Sequence, residues 1–313
     1  MLAPEFLAIA LFAALLAGIK ARAKGIYSGA IVSGAIAASA TALLLGQSAG
    51  LVMLAAGTAV LACLIAVCYI TRPLAFSAML MLAAAVIIAC IYYFGDAALV
   101  GMFGIGSVCG LLYNGLMKPK RNTRKKMRVE TNRDLVQILL GIIVFAALLL
   151  LELPYATYAV FAMMIAGYEV NNLFAGRPTT NIYERALAAL ERSEVTYGIG
   201  AVYLAVGTML VVGFVGHKAL MLFGIAALFF ADSVATILGM RFGRHRIPYN
   251  RNKTVEGSLT FFIILAAVGA LLIGIYAVPL SAALALIESL DKGLDDNLRT
   301  GIAMALLGIA LRL

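Results

Sequence analysis

Apolar runs of roughly 17–25 residues recur along nearly the whole chain, separated by short polar connections. Each is long enough to cross a hydrocarbon core of roughly 30 Å at about 1.5 Å per residue. The pattern predicts spans near residues 2–19, 26–46, 51–71, 74–94, 97–117, 135–152, 154–174, 198–216, 219–240, 258–277 and 299–313, with a short apolar run at 280–290. That run is too short for a full crossing helix, and irregular backbone at membrane depth is tolerated where it lines a protein cavity. The expected fold class is all-α: a polytopic integral membrane protein with about 11–12 transmembrane helices, one of them broken.

The polar connections carry a charge asymmetry. With the N-terminus outside, the inward connections hold Lys20, Arg22 and Lys24, then Arg72, the Lys118 to Arg133 cluster, Arg177 to Arg192, and Arg241 to Lys253. The outward connections, around Gln47, Gly95–Asp96, Glu152–Pro154, His217–Lys218 and Val278–Pro279, contain almost no Lys or Arg. This is the positive-inside pattern. The first apolar run follows Glu5 and precedes its basic residues, the reverse of a secretory leader, and is read as a retained span. The basic stretch after Lys118 divides the chain into a five-span region (1–117), a linker (118–134) and a C-terminal membrane unit (135–313). The expected setting is the cell membrane of a prokaryote.

Composition agrees: 64% of residues are hydrophobic and 12% charged, far from the usage of a soluble domain. The net charge of +9 sits in the connections, where membrane orientation already explains it, so nucleic acid is not an expected partner. Cys63, Cys68, Cys90 and Cys109 lie inside apolar runs without metal-like spacing and read as buried thiols.

Against this apolar background a few polar residues stand out. Asp232 lies within a span, where an ionisable group costs about 2.5–3.5 kcal/mol or more unless it faces a cavity or partner. Ala235, Gly239 and Gly243 follow it at spacings of three, four and four, along one helix face. Such a stripe admits a bulky ligand or another helix equally well. The basic loop beyond it, with Arg244, leads into Lys253-Thr254-Val255-Glu256-Gly257-Ser258, which opens a new helix. Lys253 with the first amides of that helix would make an anion site. The stretch Glu288 to Asn297 adds Asp291, Asp295 and Asp296, hard oxygen donors of the kind that bind Mg²⁺ alongside substrate phosphates, or that merely cap a helix. Glu130 and Arg133, and Glu169 and Asn172, lie at inner span ends, where they are site residues or interfacial anchors.

Together, Asp232-x-x-Ala235-x-x-x-Gly239-x-x-x-Gly243 and Lys253-Thr254-x-Glu256-Gly257-Ser258, with Asp295-Asp296-Asn297-Leu298, resemble the signature of the dolichol kinase and phytol kinase family, from about Glu130 to the C-terminus. These are CTP-dependent polyprenol kinases, related to the phosphatidate cytidylyltransferases, whose Asp and Lys-x-x-Glu-Gly arrangement is similar. The family's opening pattern has a Lys and a His where this chain has Asp134 and Gln137, between Glu130, Arg133 and Gly141.

The resemblance implies a kinase that moves the γ-phosphoryl group of Mg·CTP to a membrane isoprenoid or lipid alcohol at the cytoplasmic face. It implies Asp232, Lys253 and Glu256 as catalytic residues, and Asp232, Glu256, Asp295 and Asp296 as metal ligands. It further implies Gly239, Gly243, Arg244, Lys253, Thr254, Gly257, Ser258 and Arg133 around the nucleotide, with Glu130, Glu169, Asn172, Glu288 and Asn297 as further polar or lipid contacts. Two alternatives remain: a cytidylyltransferase, and a transporter, since intramembrane carboxylates and a broken helix also suit ion-coupled carriers. No P-loop, zinc-protease or nucleophile-elbow motif is present.

Overall fold

The computed structural model describes residues 98–113, 127–174, 199–290 and 294–311. The spans expected before residue 97, most of the basic linker, the connection from Arg177 to Arg192, and Asp291 lie outside the described residues.

The described chain is nine α-helices and one small β-hairpin: α1 (Ala98–Tyr113), α2 (Met127–Leu150), α3 (Leu153–Phe174), α4 (Ile199–Phe214), α5 (Lys218–Ala226), α6 (Asp232–Phe242), β1 (Arg246–Ile247), β2 (Asn250–Thr254), α7 (Val255–Ile273), α8 (Ala277–Ser289) and α9 (Asp296–Ala310). The helices fall on the predicted apolar runs to within a few residues, except that α2 begins at Met127 and so absorbs the end of the expected linker. The antiparallel hairpin β1–β2 departs from the all-α expectation. Its segment is polar and lacks helical periodicity, and its pairing is too short to leave an alternating pattern.

Three helical stretches are long and apolar enough to cross a membrane: Glu130–Leu150, Lys218–Phe242 and Val255–Ser289. The burial of the first is inverted relative to a water-soluble protein. On α2 the buried positions are Glu130, Asp134, Gln137, Gly141, Val144 and Leu148, following one helix face, whereas Leu135, Leu139, Ile142 and Ile143 are exposed. Polar groups inside and large apolar side chains outside is the arrangement a lipid environment selects.

The stretch Lys218–Phe242 runs through the middle of the assembly. Leu220 to Phe229 are all buried, as expected of a helix apolar on every side. Helix α4 packs against α1, α3 and α9, and Phe103 of α1 meets Phe161 of α3 edge to face, with ring centroids 5.3 Å apart.

The stretch Val255–Ser289 is folded on itself. A short 3₁₀ turn, Gly274–Tyr276, separates α7 from α8, and Gly274 takes φ 62°, ψ −138°, a conformation essentially reserved for glycine. Helices α7 and α8 therefore pack side by side as an antiparallel pair. The connection expected around Val278–Pro279 thus lies a few residues earlier, at the turn. The return of α8 brings Glu288 back to the start of α7, and this return builds the site.

Candidate functional site

Asp232 stands at the start of α6, directly after a π-helical turn, Ala227–Ala231. It is 6% exposed, and its Oδ1 has no hydrogen-bond partner among the described residues. Glu288, from the last turn of α8, is 4% exposed and its Oε2 is likewise without a partner. Asp296 enters from the first turn of α9. Oxygens of these three carboxylates lie within 4.8 Å of one another. Oxygens on one octahedral Mg²⁺ at about 2.0–2.1 Å stand about 2.9 Å apart in adjacent positions and about 4.2 Å apart in opposite ones, so the three carboxylates would have to draw together to share one ion.

Lys253 comes from β2 into the same cluster. Its Nζ donates to Asp296 Oδ2 at 2.9 Å and to Glu288 Oε1. Burial works against its charge, but Asp296, Glu288 and Asp232 outweigh that effect and hold its pKa above the ordinary lysine value. Among the described residues one ammonium stands inside the cluster of three carboxylates, with the Arg133 guanidinium near Asp232 and Asp296.

Several contacts fix this geometry. Asn250 Nδ2 donates to the Ser289 carbonyl at 3.0 Å, and the Tyr249 and Ser289 hydroxyls are 2.8 Å apart, latching the hairpin to the end of α8. Arg299 Nη1 donates to the Ile287 carbonyl at 3.2 Å and to that of Leu290, satisfying the C-terminus of α8. On α2, Arg133 pairs with Glu130 and Asp134, each at 3.1 Å, and is near enough for its charge to act on Asp232 and Asp296.

Other expected site residues are placed differently. Glu256 stands outside the three-carboxylate cluster: Oε1 meets His245 Nδ1 at 2.7 Å and accepts from the His245 amide at 3.1 Å, closing the hairpin. Asp295 caps α9, accepting from the Asn297 amide at 3.0 Å. Burial and the adjacent Asp296 charge push its carboxyl up to about 7. Of the residues read from the sequence as metal ligands, Asp232 and Asp296 thus stand with Glu288 in the cluster, whereas Glu256 and Asp295 stand outside it.

The residues expected around the nucleotide lie about the hairpin and the α6–α7 crossing. Thr254 is the N-cap of α7, its Oγ1 accepting from the Gly257 amide at 3.1 Å, and the Val255 amide donates to the His245 carbonyl at 2.9 Å. These amides of the helix N-terminus are therefore engaged internally rather than presented to an anion. Gly239 and Gly257 face each other: a Cβ on Gly239 would stand 3.2 Å from the Gly257 Cα, and one on Gly257 would stand 3.2 Å from the Ala235 carbonyl oxygen. With Gly243 against Thr254, these glycines allow α6 and α7 to cross closely, the packing use of a small-residue stripe.

Ser258 Oγ and the buried Asn297 Oδ1 have no hydrogen-bond partner among the described residues. Arg244 is exposed beside the hairpin. Glu169 and Asn172 fall on α3, with side chains outside the described set.

Glu288, expected as a further polar contact, stands inside the carboxylate cluster, and α2 adds the buried Asp134 and Gln137, which the sequence reading did not assign to the site. The signal for the latter pair was present: Glu130, Asp134, Gln137 and Gly141 share one face of an otherwise apolar helix.

The chain is similar to an uncharacterized protein of Methanocaldococcus jannaschii, 37% identical over 103 residues, which are 32% of this chain and 53% of that protein. The match thus spans about half the length of this curated relative. No family model matches the chain, and no solved structure does.

Proposed function

We propose that this chain is a CTP-dependent kinase that phosphorylates the hydroxyl of a membrane isoprenoid or lipid alcohol, of the dolichol, phytol or geranylgeraniol type. The observation that carries the reading is the meeting of Asp232, Glu288 and Asp296 around Lys253, with Asp232 Oδ1 and Glu288 Oε2 buried and unpartnered among the described residues. A buried bare carboxylate is costly, and a hard divalent cation removes that cost while leaving positions for phosphate oxygens.

Phosphoryl transfer requires alignment and charge neutralisation more than covalent chemistry. In this reading Asp232, Glu288 and Asp296 hold Mg²⁺, which when bound neutralises the charge of the transferring phosphates. Lys253, released from part of its ion pairing, contacts a phosphate, and Arg133 supplies a second positive charge from α2. An acceptor hydroxyl anchored at the lipid boundary and a soluble nucleotide both reach a site formed at helix ends.

The same reading takes the chain as spanning the membrane about 11–12 times. It places the protein in the cell membrane of a prokaryote, with the N-terminus outside and the site facing the cytoplasm. The region 1–117 precedes the C-terminal membrane unit that holds the site, and its last span, α1, packs against α4 of that unit.

Membranes containing the chain, incubated with a lipid alcohol and CTP labelled at either the α or the γ phosphorus, provide the test. Label from the γ position is expected in the lipid. Label from the α position would replace the kinase with a cytidylyltransferase, and substrate uptake into proteoliposomes without CTP would replace it with a carrier.

A further inference from the structure

The π-helical turn before Asp232 has a specific partner. In an uninterrupted α-helix the Asp232 amide would donate to the Leu228 carbonyl, four residues back. Here it donates to Ala227, five residues back, so the Leu228 carbonyl is released from the helix ladder in a fully buried position. Gln137 of α2, itself 6% exposed, takes up that carbonyl: its Nε2 donates to Leu228 O at 2.7 Å across 91 residues of sequence. Gly141, one turn further along α2, lets that helix lie directly on Phe229 within the π turn; a Cβ there would stand 2.9 Å from the Phe229 Cγ.

The extra residue in a π turn rotates everything after it by about 100° relative to a continuous α-helix. Without the turn, the Asp232 carboxylate would leave the direction of Glu288 and Asp296. A released carbonyl in an apolar interior must find a donor, and without one the cheapest remedy is to close back into an α-helical ladder.

We infer that Gln137 is a positioning residue: its side-chain amide holds the π turn open at Leu228 and thereby aims Asp232 into the carboxylate cluster. This inference rests on the cluster being a divalent-cation site. Gln137 touches neither metal nor substrate, and acts only through the helix geometry.

The test is Mn²⁺ binding to the purified full chain in detergent, read from the loss of the free-ion paramagnetic resonance signal, with thermal unfolding measured in parallel. Gln137→Met keeps the side-chain length and volume but cannot donate, and is expected to weaken Mn²⁺ binding about 10–100-fold, the usual consequence of losing an outer partner of a metal ligand. Gln137→His restores an N–H at nearly the same reach and is expected to return affinity to within about threefold of the starting protein. A purely structural role would lower the unfolding temperature of Gln137→Met without this selective recovery.

Unchanged Mn²⁺ affinity in a folded Gln137→Met protein would overturn the inference and leave the metal site standing. Absence of Mn²⁺ binding in the unsubstituted protein would remove the metal reading itself, and the inference with it. If Gln137→Met does not fold, Gln137→Asn, an amide one methylene too short, takes its place. Loss of the fold in both would overturn the positioning role in favour of a structural one.

Discussion

At the scale of single residues, the proposal turns on which carboxylates would share a cation. Asp232 and Glu288 combine burial with an oxygen that has no partner among the described residues, whereas Glu256 is engaged with His245 at the edge of the hairpin. Asp232→Asn and Glu288→Gln are therefore each expected to cut CTP-dependent transfer by about 10²–10³-fold, the scale of losing one charge-stabilising group in a phosphoryl or acyl transfer site. Asp232→Asn should not lower the unfolding temperature without metal, because it alters a buried carboxylate whose Oδ1 has no partner among the described residues, whereas Glu288→Gln also weakens the pair with Lys253 and should lower it. Glu256→Gln should leave Mn²⁺ affinity nearly unchanged; an equal loss there would restore it to the ligand set. Lys253 behaves in the opposite way to Asp232. Lys253→Met takes the counter-charge from Glu288 and Asp296. Removing one partner of a fully buried pair costs about 3–5 kcal/mol, and partial exposure of Asp296 makes about 1–3 kcal/mol the better expectation. Added Mn²⁺ should recover much of that stability while transfer activity stays lost, and calorimetry with and without the ion measures both.

At the scale of elements, two helix interruptions place the cluster: the π turn before Asp232 and the 3₁₀ turn at Gly274. The first was not legible in the sequence, and the second was legible only as a connection placed a few residues late. Ala227 to Ala231 reads as uninterrupted apolar helix, because a π turn changes backbone register and not side-chain type. The return at Gly274 sits within a continuous apolar run, so periodicity alone set the break several residues too late. What the sequence did carry was the set of helices, since long apolar runs identify themselves, and the identity of Asp232 and Lys253 as polar residues out of place. It could not separate Glu256 from Glu288, because that choice is made by where α8 returns. Gly274→Ala places a side chain at φ 62°, ψ −138°, a conformation costing about 1–3 kcal/mol for other residues. The unfolding temperature should fall by several degrees, and Mn²⁺ affinity should fall with it, since Glu288 depends on the turn. Gly257→Leu would drive a side chain into the α6–α7 crossing and is expected to cost about 1–3 kcal/mol or more.

At the scale of the whole molecule, the basic connections of the sequence set up an expectation of one orientation that the proposed chemistry requires. The stretch Lys218–Phe242 has 25 residues, enough to cross the hydrocarbon core with some tilt. His217 is exposed at one end of it and Arg244 at the other, beside the hairpin that carries Lys253. If basic connections face inward, the cluster lies on the CTP-containing side and His217 lies outside. The four cysteines must first be replaced, at Cys63, Cys68, Cys90 and Cys109. In that background, a membrane-impermeant maleimide applied to intact cells should modify His217→Cys at once. It should reach Arg244→Cys only after the membrane is permeabilised. Labelling in the reverse order would put Asp232, Glu288, Asp296 and Lys253 on the face where no nucleoside triphosphate is maintained, and no kinase using cytoplasmic CTP could work from there. Orientation is thus the molecular-scale condition on the chemistry proposed for the cluster, and it can be tested before any lipid acceptor is identified.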